Sequence, residues 1–357
     1  MKSSLISSIV LASQVFALPT TTSVRANTAV KYVPFCSLST AGVNIAGFDF
    51  GVLTDGSQTV SDVYPPLSAL GGPDGAGQMS HFVKDDNLNI FRLPVGWEYL
   101  TNYNIGTFDT TKLANYDQLV QACLSTGATC IIDIHNYARW YGGIIGQGGP
   151  SNASFVQLWT QLATKYKAST NIAFGVMNEP HDLDINIWAS TVQMVVTAIR
   201  TAGATSQMIL LPGTGYTSAG SFIDNGSGAA LSKVKNLDGS TTNLIFDVHQ
   251  YLDYDYSGTH TECVTDNISS AWQPLATWLR ANKRQALNTE TGGGNTASCE
   301  QYLCSAINFM NSNTDVFLGY VAWSAGSFDS TYELDLTPTL SGSTWTDTAL
   351  MKACIAR

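Results

Sequence analysis

Residues 130–136 (CIIDIHN) join an apolar run to a polar ending, and the chain repeats this combination. The run Cys130-Ile131-Ile132 is short and rich in β-branched residues, which is typical of a strand buried on both faces of a parallel sheet. Asp133 and His135 follow at the point where such a strand ends. Seven further runs lie around it at intervals of roughly 30–45 residues, a rhythm typical of repeated strand–helix units. The eight runs are 43–45, 89–91, 130–132, 172–174, 208–211, 244–246, 286–288 and 317–321.

Patterns typical of amphipathic helices lie between these runs. In residues 113–124, apolar side chains recur every three or four positions, Asp109 or Thr110 can cap the start and Gly127 follows the end. The same spacing recurs at 155–166 and 188–199 and, more weakly, at 268–279. Eight strand–helix units in about 320 residues predict a single α/β domain, a (β/α)8 TIM barrel over 30–357. An open doubly wound sheet is the alternative, which the eight repeats and the lack of a glycine-rich phosphate loop disfavour.

The composition is that of a globular protein, and it narrows the range of partners. Of 357 residues, 44% are apolar and 12% are charged, so the chain can bury a sizeable core. The formal charge is −10 at pH 7 and no basic run occurs, so neither nucleic acid nor an anionic membrane is an expected partner.

The first residues are typical of a targeting segment. Lys2 precedes an apolar stretch over 5–16, and Ala17 offers a small residue for cleavage. We therefore expect a signal peptide over 1–17, a short lead or propeptide over 18–29, and a secreted protein. On a secreted chain three N-x-S/T sequons are available for glycosylation, at Asn152, Asn225 and Asn267.

Polar and aromatic residues follow the apolar runs, at the strand ends where a barrel of this kind has its active site. They are Arg92, Asp133, His135, Asn136, Asn178, Glu179, Asp247, His249, Gln250, Tyr251, Thr289, Glu290, Trp323 and Ser324. Glu179 and Glu290 follow the fourth and seventh runs, which lie on opposite sides of an eight-stranded barrel. Two facing carboxylates suit glycoside hydrolysis, in which one protonates the leaving oxygen and the other attacks the anomeric carbon. The alternative is that each acid caps a helix or forms a surface salt bridge, but this does not explain why both stand at strand ends.

The motif Asn178-Glu179-Pro180, with Glu290 far downstream, resembles the cellulases of glycoside hydrolase family 5. The resemblance extends from about Val43 to Arg357 and rests on several motifs in register rather than on NEP alone. The further motifs are 41–44 (AGVN), 92–94 (RLP), 135–136 (HN), 249–251 (HQY), 289–290 (TE) and Trp323. The segment 135–149 (HNYARWYGGIIGQGG) is similar to the fungal endo-β-1,4-glucanases of this family.

The resemblance implies a role for each matching residue. Glu179 matches the acid/base, which must be protonated when it meets the glycosidic oxygen. Glu290 matches the nucleophile, which must be ionised, and Arg92 beside it favours that state. Tyr251 is implied to donate a hydrogen bond to Glu290, and Asn178 to bind the sugar 2-hydroxyl.

Other matches are implied to bind sugar hydroxyls or to support the catalytic groups, and these are His135, Asn136 and His249. Trp323 is implied to form a flat platform under a pyranose ring. Trp140 lies in a glycine-rich loop with little core to join, so we expect it to be exposed as a further platform. Trp188 has helical spacing, which favours a place in the core over one in the site.

Seven cysteines fit an oxidising compartment, and the absence of a CxxC pair disfavours a zinc ribbon. Spacing alone does not fix how they pair. The resemblance implies three disulfides, Cys123–Cys130, Cys263–Cys299 and Cys304–Cys354, and it leaves Cys36 without a partner.

We therefore expect a secreted, monomeric endo-β-1,4-glucanase that hydrolyses β-glucan polysaccharide with retention of anomeric configuration. No cofactor, metal or cellulose-binding module is expected. A β-mannanase or a mixed-linkage glucanase on the same barrel is the first alternative, because substrate choice depends on loops whose shape the sequence does not reveal. A barrel metallohydrolase is the second, with metal ligands drawn from two strand-end pairs, Asp133 with His135 and Asp247 with His249. A non-catalytic glycan-binding barrel is the third.

Overall fold

The computed structural model describes residues 39–357, so Cys36 and the expected signal peptide and lead segment lie outside the described residues. Eight parallel strands close into a barrel in which each strand pairs with its neighbours along the chain and the last pairs with the first. The strands are β1 (Thr40–Ala46), β2 (Ile90–Val95), β3 (Thr129–Ile134), β4 (Ile172–Gly175), β5 (Met208–Pro212), β6 (Leu244–His249), β7 (Ala286–Glu290) and β8 (Phe317–Gly326). Each strand overlaps one of the eight apolar runs, so the predicted (β/α)8 barrel is confirmed.

Helices fill the connections between the strands. They are α1 (Gly75–Asp85), α2 (Trp97–Thr101), α3 (Thr110–Ser125), α4 (Asn152–Tyr166), α5 (Ile185–Thr201), α6 (Ser227–Leu231), α7 (Gln273–Asn282) and α8 (Ala297–Asn311). The four predicted helices correspond to α3, α4, α5 and α7. Asp109 caps α3 as predicted, because its carboxylate accepts hydrogen bonds from the N–H groups of Thr111 and Lys112.

Two short hairpins and several single turns complete the described part of the chain. One hairpin pairs Arg139–Trp140 with Gly143–Ile144, and the other pairs Thr339–Ser341 with Thr344–Thr346. The turns are the 3₁₀ segments Val60–Asp62 and Ser68–Leu70 and the π-helical segments Ile268–Trp272 and Met351–Ile355.

Apolar side chains fill the barrel interior as well as the layer between strands and helices. Seven strands each contribute one buried residue to a cluster of their own, made of Ile90, Ile131, Ala173, Leu210, Ile245, Leu287 and Val321. The interior is therefore a packed core, and its polar groups lie towards the carboxyl ends of the strands. Trp188 is fully buried and its indole N–H donates to the Pro212 carbonyl at 2.9 Å, which confirms its predicted place in the core.

The three disulfides implied by the resemblance are all formed, and each ties a helix to another segment. Cys123 of α3 is bonded to Cys130 of β3. The two on α8 join Cys299 to Cys263 and Cys304 to Cys354. Among residues 39–357, no helix has the length and apolar character needed to cross a membrane.

Candidate active site

The carboxyl ends of the strands bring the residues predicted from the sequence together. Glu290 is the last residue of β7 and lies in register with His249, the last residue of β6. Arg92 lies within β2, and Asn178 and Glu179 follow β4. An open cavity of about 380 Å³ at this end of the barrel is lined mainly by aromatic and polar side chains, including Asp49, Phe50, His135, Tyr137, Trp323 and Phe328.

Both carboxylate oxygens of Glu290 are held by hydrogen bonds. Arg92 Nη1 donates to Oε1, and the Tyr251 hydroxyl donates to Oε2 at 2.7 Å. His249 Nδ1 lies 3.5 Å from Oε2. The side chain is only 5% exposed, so these protein groups rather than solvent fix its position.

The surroundings of Glu290 stabilise its ionised form. Burial alone would raise its pKa, but the positive charges of His249, Arg92 and His135 and the Tyr251 hydrogen bond lower it to about 2. Arg92 is affected in the opposite sense. Burial would lower its pKa, but the nearby carboxylates, Asp133 and Glu290 foremost, raise it overall, so it stays charged.

Glu179 is held by His249 rather than by arginine. His249 Nδ1 lies 2.7 Å from Glu179 Oε1, and the other ring nitrogen lies 2.9 Å from the Thr289 hydroxyl. The Thr289 hydroxyl in turn donates to Asp247. Glu179 is 16% exposed, more than Glu290. One oxygen of Glu179 and one of Glu290 lie within 4.8 Å of each other.

The backbone at Glu179 adopts an uncommon conformation. Its φ is 41°, in the left-handed region that residues with a β-carbon seldom occupy, and Pro180 follows it. Such conformations cost about 1–3 kcal/mol and cluster at functional sites. The turn aims the Glu179 side chain at His249 instead of continuing the direction of β4.

Arg92 of β2 contacts residues of β1, β3 and β7 and of the segment after β4. It is fully buried and donates to Asn44 Oδ1 at 3.0 Å and to Asn178 Oδ1 at 2.7 Å, and it lies 3.0 Å from Asp133 Oδ1. Asn44 also donates to the carbonyl oxygens of Thr289 and Ala322, so it joins β1 to β7 and β8. Asn178 Nδ2 is buried without a hydrogen-bond partner.

An aromatic wall stands beside Glu179 and Glu290. The His135 ring stacks on Trp323 with centroids 5.5 Å apart, and its Nδ1 lies 2.9 Å from Asp133 Oδ2. The Trp323 indole N–H donates to the Tyr332 hydroxyl at 2.9 Å. Trp323 thus lies at the cavity with its ring orientation fixed from two sides, as a stacking platform requires.

Two of the predicted binding residues pack against α2. Asn136 is fully buried, and its amide bonds to the Trp97 N–H at 2.7 Å and to Glu98 at 2.6 Å, so it supports the start of this helix. Trp140 packs edge-on against Trp97, with centroids 5.2 Å apart, and is only partly exposed. The expectation that Trp140 has little core to join is wrong, because the buried indole of Trp97 lies directly beneath its hairpin.

The site also contains residues that sequence reasoning missed. Asn44 belongs to the AGVN motif, which could have pointed to it, but the sequence suggested no role for this residue. Tyr216 follows β5, whose end has no charged residue that would draw attention to it. It is 42% exposed, stacks on His181 with centroids 4.4 Å apart, and lies near enough to Glu179 for the two to interact electrostatically.

The two strand-end DxH pairs do not form a metal site within residues 39–357. Asp133 is bonded to Arg92 and His135, whereas Asp247 is bonded to Thr289. The group at this end whose donor atoms all lie within 4.8 Å of one another is instead Glu179, His249 and Glu290. A larger cavity of about 630 Å³ lies at the opposite end of the strands, but its single lining carboxylate, Asp315, is paired with Arg280.

Comparisons with known proteins agree with this geometry. A family model described as "Cellulase (glycosyl hydrolase family 5)" matches residues 43–326. Endoglucanase EG-II of Hypocrea jecorina is 66% identical over 322 residues, which cover 89% of this chain and 77% of that protein. Endoglucanase 1 of Saitozyma flava is 48% identical over 301 residues, or 84% of each chain. The crystal structure of Cel5A (EG2) from Hypocrea jecorina (Trichoderma reesei) matches with a TM-score of 0.89 and 64% identity, over 90% of this chain and 99% of that one.

Proposed function

The chain belongs to glycosyl hydrolase family 5, and we propose that it is an endo-β-1,4-glucanase that cleaves internal bonds of cellulose with retention of anomeric configuration. Both curated relatives described above are named endoglucanases. The observation that carries the mechanism is the approach of Glu179 and Glu290 to within 4.8 Å. Retaining enzymes hold their carboxyl groups about 5–5.5 Å apart, whereas inverting enzymes leave about 6.5–9.5 Å for a water molecule.

The proposed reaction has two steps. In the first, an oxygen of Glu290 attacks the anomeric carbon while Glu179 gives its proton to the leaving glycosidic oxygen, which forms a covalent glycosyl ester. In the second, Glu179 takes a proton from water, the water oxygen attacks the same carbon, and the ester bond to Glu290 breaks. Arg92 and Tyr251 keep Glu290 ionised and oriented before the attack. The same two donors stabilise the carboxylate when it leaves in the second step.

The neighbouring polar groups support the proposed binding of sugar. Asn178 Nδ2 is buried without a partner while Oδ1 of the same amide is held by Arg92, so a substrate hydroxyl would satisfy the free donor. We assign that contact to the sugar 2-hydroxyl, where a hydrogen bond strengthens in the transition state. Trp323 would then carry the adjoining pyranose ring, and His249 would orient Glu179.

The test of the substrate is the release of reducing sugar from carboxymethyl cellulose and from mannan, with wild type beside Glu290→Gln. We expect release from the cellulose derivative and a loss on the order of 10³-fold or more in the variant. Release from mannan alone would replace the substrate with that of a β-mannanase. Release from neither polymer would favour a non-catalytic glycan-binding barrel.

The test of the mechanism is covalent trapping with a 2-fluoro cellobioside, followed by peptide mass spectrometry. Label on Glu290 is expected, and label elsewhere or an inverted product would contradict double displacement. Activity should also survive chelation at 25 °C, because neither step uses a metal. Loss on chelation would favour the metallohydrolase alternative, with Glu179, His249 and Glu290 as the ligands that the geometry offers.

We further propose that the enzyme is secreted as a monomer after cleavage near Ala17. Asn152 is the sequon best placed for a glycan, since it starts α4 and is partly exposed. Asn267 is buried and its amide donates to the Tyr251 carbonyl at 2.8 Å, so a glycan there would break this bond. Amino-terminal sequencing, glycopeptide mapping and light scattering of protein from the culture medium test these three statements.

A further inference from the structure

A second cluster of potential metal ligands lies at the opposite end of the barrel from the catalytic carboxylates. His81 belongs to α1, Asp86 follows that helix before β2 begins, and Asp347 follows the hairpin Thr339–Thr346. Because α1 runs back towards the start of β2, its end lies at the amino-terminal side of the strands. One donor atom of each residue lies within 4.8 Å of the others. His81 Nε2 is 2.8 Å from Asp347 Oδ1 and 3.7 Å from Asp86 Oδ2.

Asp86 lacks the partner that a buried carboxylate needs. The residue is 6% exposed, and its Oδ2 is buried with no hydrogen-bond partner. Leaving a charged oxygen buried and unpaired is costly, and such groups are normally paired or coordinate a metal. This oxygen faces His81 Nε2 across a gap that is too long for a hydrogen bond.

The surroundings of His81 match those of a metal-binding histidine. Its Nδ1 lies 2.6 Å from Asp85 Oδ2, which leaves Nε2 to face Asp86 and Asp347. Metal-bound histidines almost always engage their second nitrogen with a carboxylate or carbonyl in this way, which fixes the tautomer and the ring orientation. Trp345 stacks on the ring with centroids 5.8 Å apart and an interplanar angle of 19°, so the imidazole is further held in place.

We propose that His81, Asp86 and Asp347 bind one divalent first-row transition cation through the imidazole Nε2 and two carboxylate oxygens, with water completing its coordination. An imidazole with carboxylates suits ions such as Zn²⁺ and Mn²⁺. Ligand atoms about 2.0–2.2 Å from one ion lie roughly 3–3.5 Å apart. The present separations from His81 Nε2, 2.8 Å to Asp347 and 3.7 Å to Asp86, bracket that range. The ion would join the end of α1 to the segment after the carboxyl-terminal hairpin.

The competing explanation for this cluster is an ion pair, in which a protonated His81 alone balances the charge of the carboxylates. Three carboxylates, those of Asp85, Asp86 and Asp347, then face one imidazolium. Lys352 is a further cationic side chain that acts on Asp86. Asp86 Oδ2 nevertheless has no hydrogen-bond partner, and a divalent ion would supply one.

The test is metal binding by the full chain at pH 7 after chelation and removal of the chelator. Isothermal titration calorimetry with Zn²⁺ should show one equivalent bound. Mn²⁺ binding, followed by electron paramagnetic resonance, should give the same stoichiometry, and either ion should raise Tm. Asp86→Asn and Asp347→Asn should each weaken this binding by more than tenfold and abolish the Tm increase. Asp255→Asn, an exposed member of the cluster of Asp253, Asp255 and His260, is the matched control and should bind as wild type.

Anomalous diffraction from crystals soaked in Zn²⁺ locates the ion independently of the variants. A peak bonded to His81, Asp86 and Asp347 supports the proposal. A peak only at Glu179, His249 and Glu290, or binding unchanged in both Asn variants, overturns it. The proposal is also overturned if the wild type binds neither Zn²⁺ nor Mn²⁺ at about 1 mM, a concentration at which weak divalent sites are filled.

Discussion

Glu290 and Glu179 differ in which side chains hold them, although one oxygen of each lies within 4.8 Å of the other. Glu290 is almost sealed from solvent and its two oxygens accept hydrogen bonds from Arg92 and Tyr251. Glu179 is more exposed, and its carboxylate pairs with His249 rather than with arginine. Fixed positive charge favours an ionised nucleophile, whereas an imidazole partner can share a proton with the acid/base. At the scale of single residues, therefore, the two proposed roles follow from unequal partners.

Tyr251→Phe should move the acid limb of the pH profile. The Tyr251 hydroxyl bonds to Glu290 at 2.7 Å and is one of the groups that lower the pKa of that carboxyl. Removing it raises the pKa of Glu290, so kcat/KM should begin to fall at a higher pH than in wild type. We expect a loss of roughly 10-fold at the optimum, which corresponds to about 1.4 kcal/mol of a charge-assisted hydrogen bond. Measuring kcat/KM from pH 2.5 to 7 checks the shift.

Tyr332→Phe is the matched control for this prediction. Its hydroxyl accepts from the Trp323 indole and has no bond to Glu290, so the acid limb should stay where it is in wild type. If both variants shifted the limb equally, general perturbation of the aromatic wall would explain the effect. An unshifted limb in Tyr251→Phe would contradict the role assigned to that hydroxyl.

The structure brings predicted site residues together where strand position and chemistry coincide. Glu179 and Glu290 could be proposed from the sequence because charge at the end of an apolar strand is unusual and the barrel brings strand ends together. Trp140 and Tyr216 were misjudged or missed because their exposure depends on loop conformation. Tyr216 has a left-handed φ of 58° that no pattern in its neighbours foretells.

At the scale of elements, the helices differ in how clearly the spacing of their apolar residues predicts them. Helix α1 lacks a clear apolar stripe because its buried face includes polar side chains. Gln78 exchanges two hydrogen bonds with the backbone of Gly326, at 3.0 and 2.9 Å, and His81 binds carboxylates. These tertiary contacts replace hydrophobic burial and are invisible to a periodicity argument. Helix α8 differs, since its buried positions 299, 303, 306, 307 and 310 follow helical spacing that could have been used.

The three disulfides should contribute to stability in the order of the loops that they close. Cys304–Cys354 spans 50 residues and Cys123–Cys130 spans 7. The loss of chain entropy in the unfolded state predicts stabilisation of about 4 kcal/mol for the long loop and about 2 kcal/mol for the short one. Replacing each pair by alanine and measuring the free energy of unfolding in urea tests this order. An equal or reversed order would show that local packing around Cys123 outweighs loop entropy.

At the scale of the whole molecule, the site draws residues from β1, β2, β3, β6, β7 and β8 and from the segment after β4. Asn44 and Glu290 are far apart in sequence, yet Arg92 contacts both. The closed barrel makes such contacts predictable in outline, because strand ends converge whatever the loops do. The loops set which sugar fits, and their irregular backbones follow no periodic pattern. Fold and chemistry were therefore accessible from the sequence, whereas the detailed shape of the binding surface was not.

The pH dependence of the whole enzyme follows from the unequal ionisation of its site. The pKa of Glu290 falls from 4.5 to about 2, so its ionised form stabilises the fold above pH 4.5, and this contribution is lost as the pH falls towards 2. Burial would lower the pKa of His249, but Glu290 and Glu179 raise it above its usual 6.5. The positive charge of His249 therefore persists through pH 6.5 and is lost as the pH rises further, and its stabilising effect is lost with it.

These pKa shifts of Glu290 and His249 predict that kcat/KM plotted against pH is bell-shaped and centred on the acid side of neutral. The acid limb should lie below pH 4.5, where Glu290 begins to gain a proton. The alkaline limb should lie above pH 6.5, where His249, the hydrogen-bond partner of Glu179 in this pair, loses its proton. Measuring kcat/KM on carboxymethyl cellulose from pH 2.5 to 9, with Tm at each pH, separates loss of catalysis from unfolding. A flat profile up to pH 9 in folded enzyme would contradict the assignment of a proton donor to this pair.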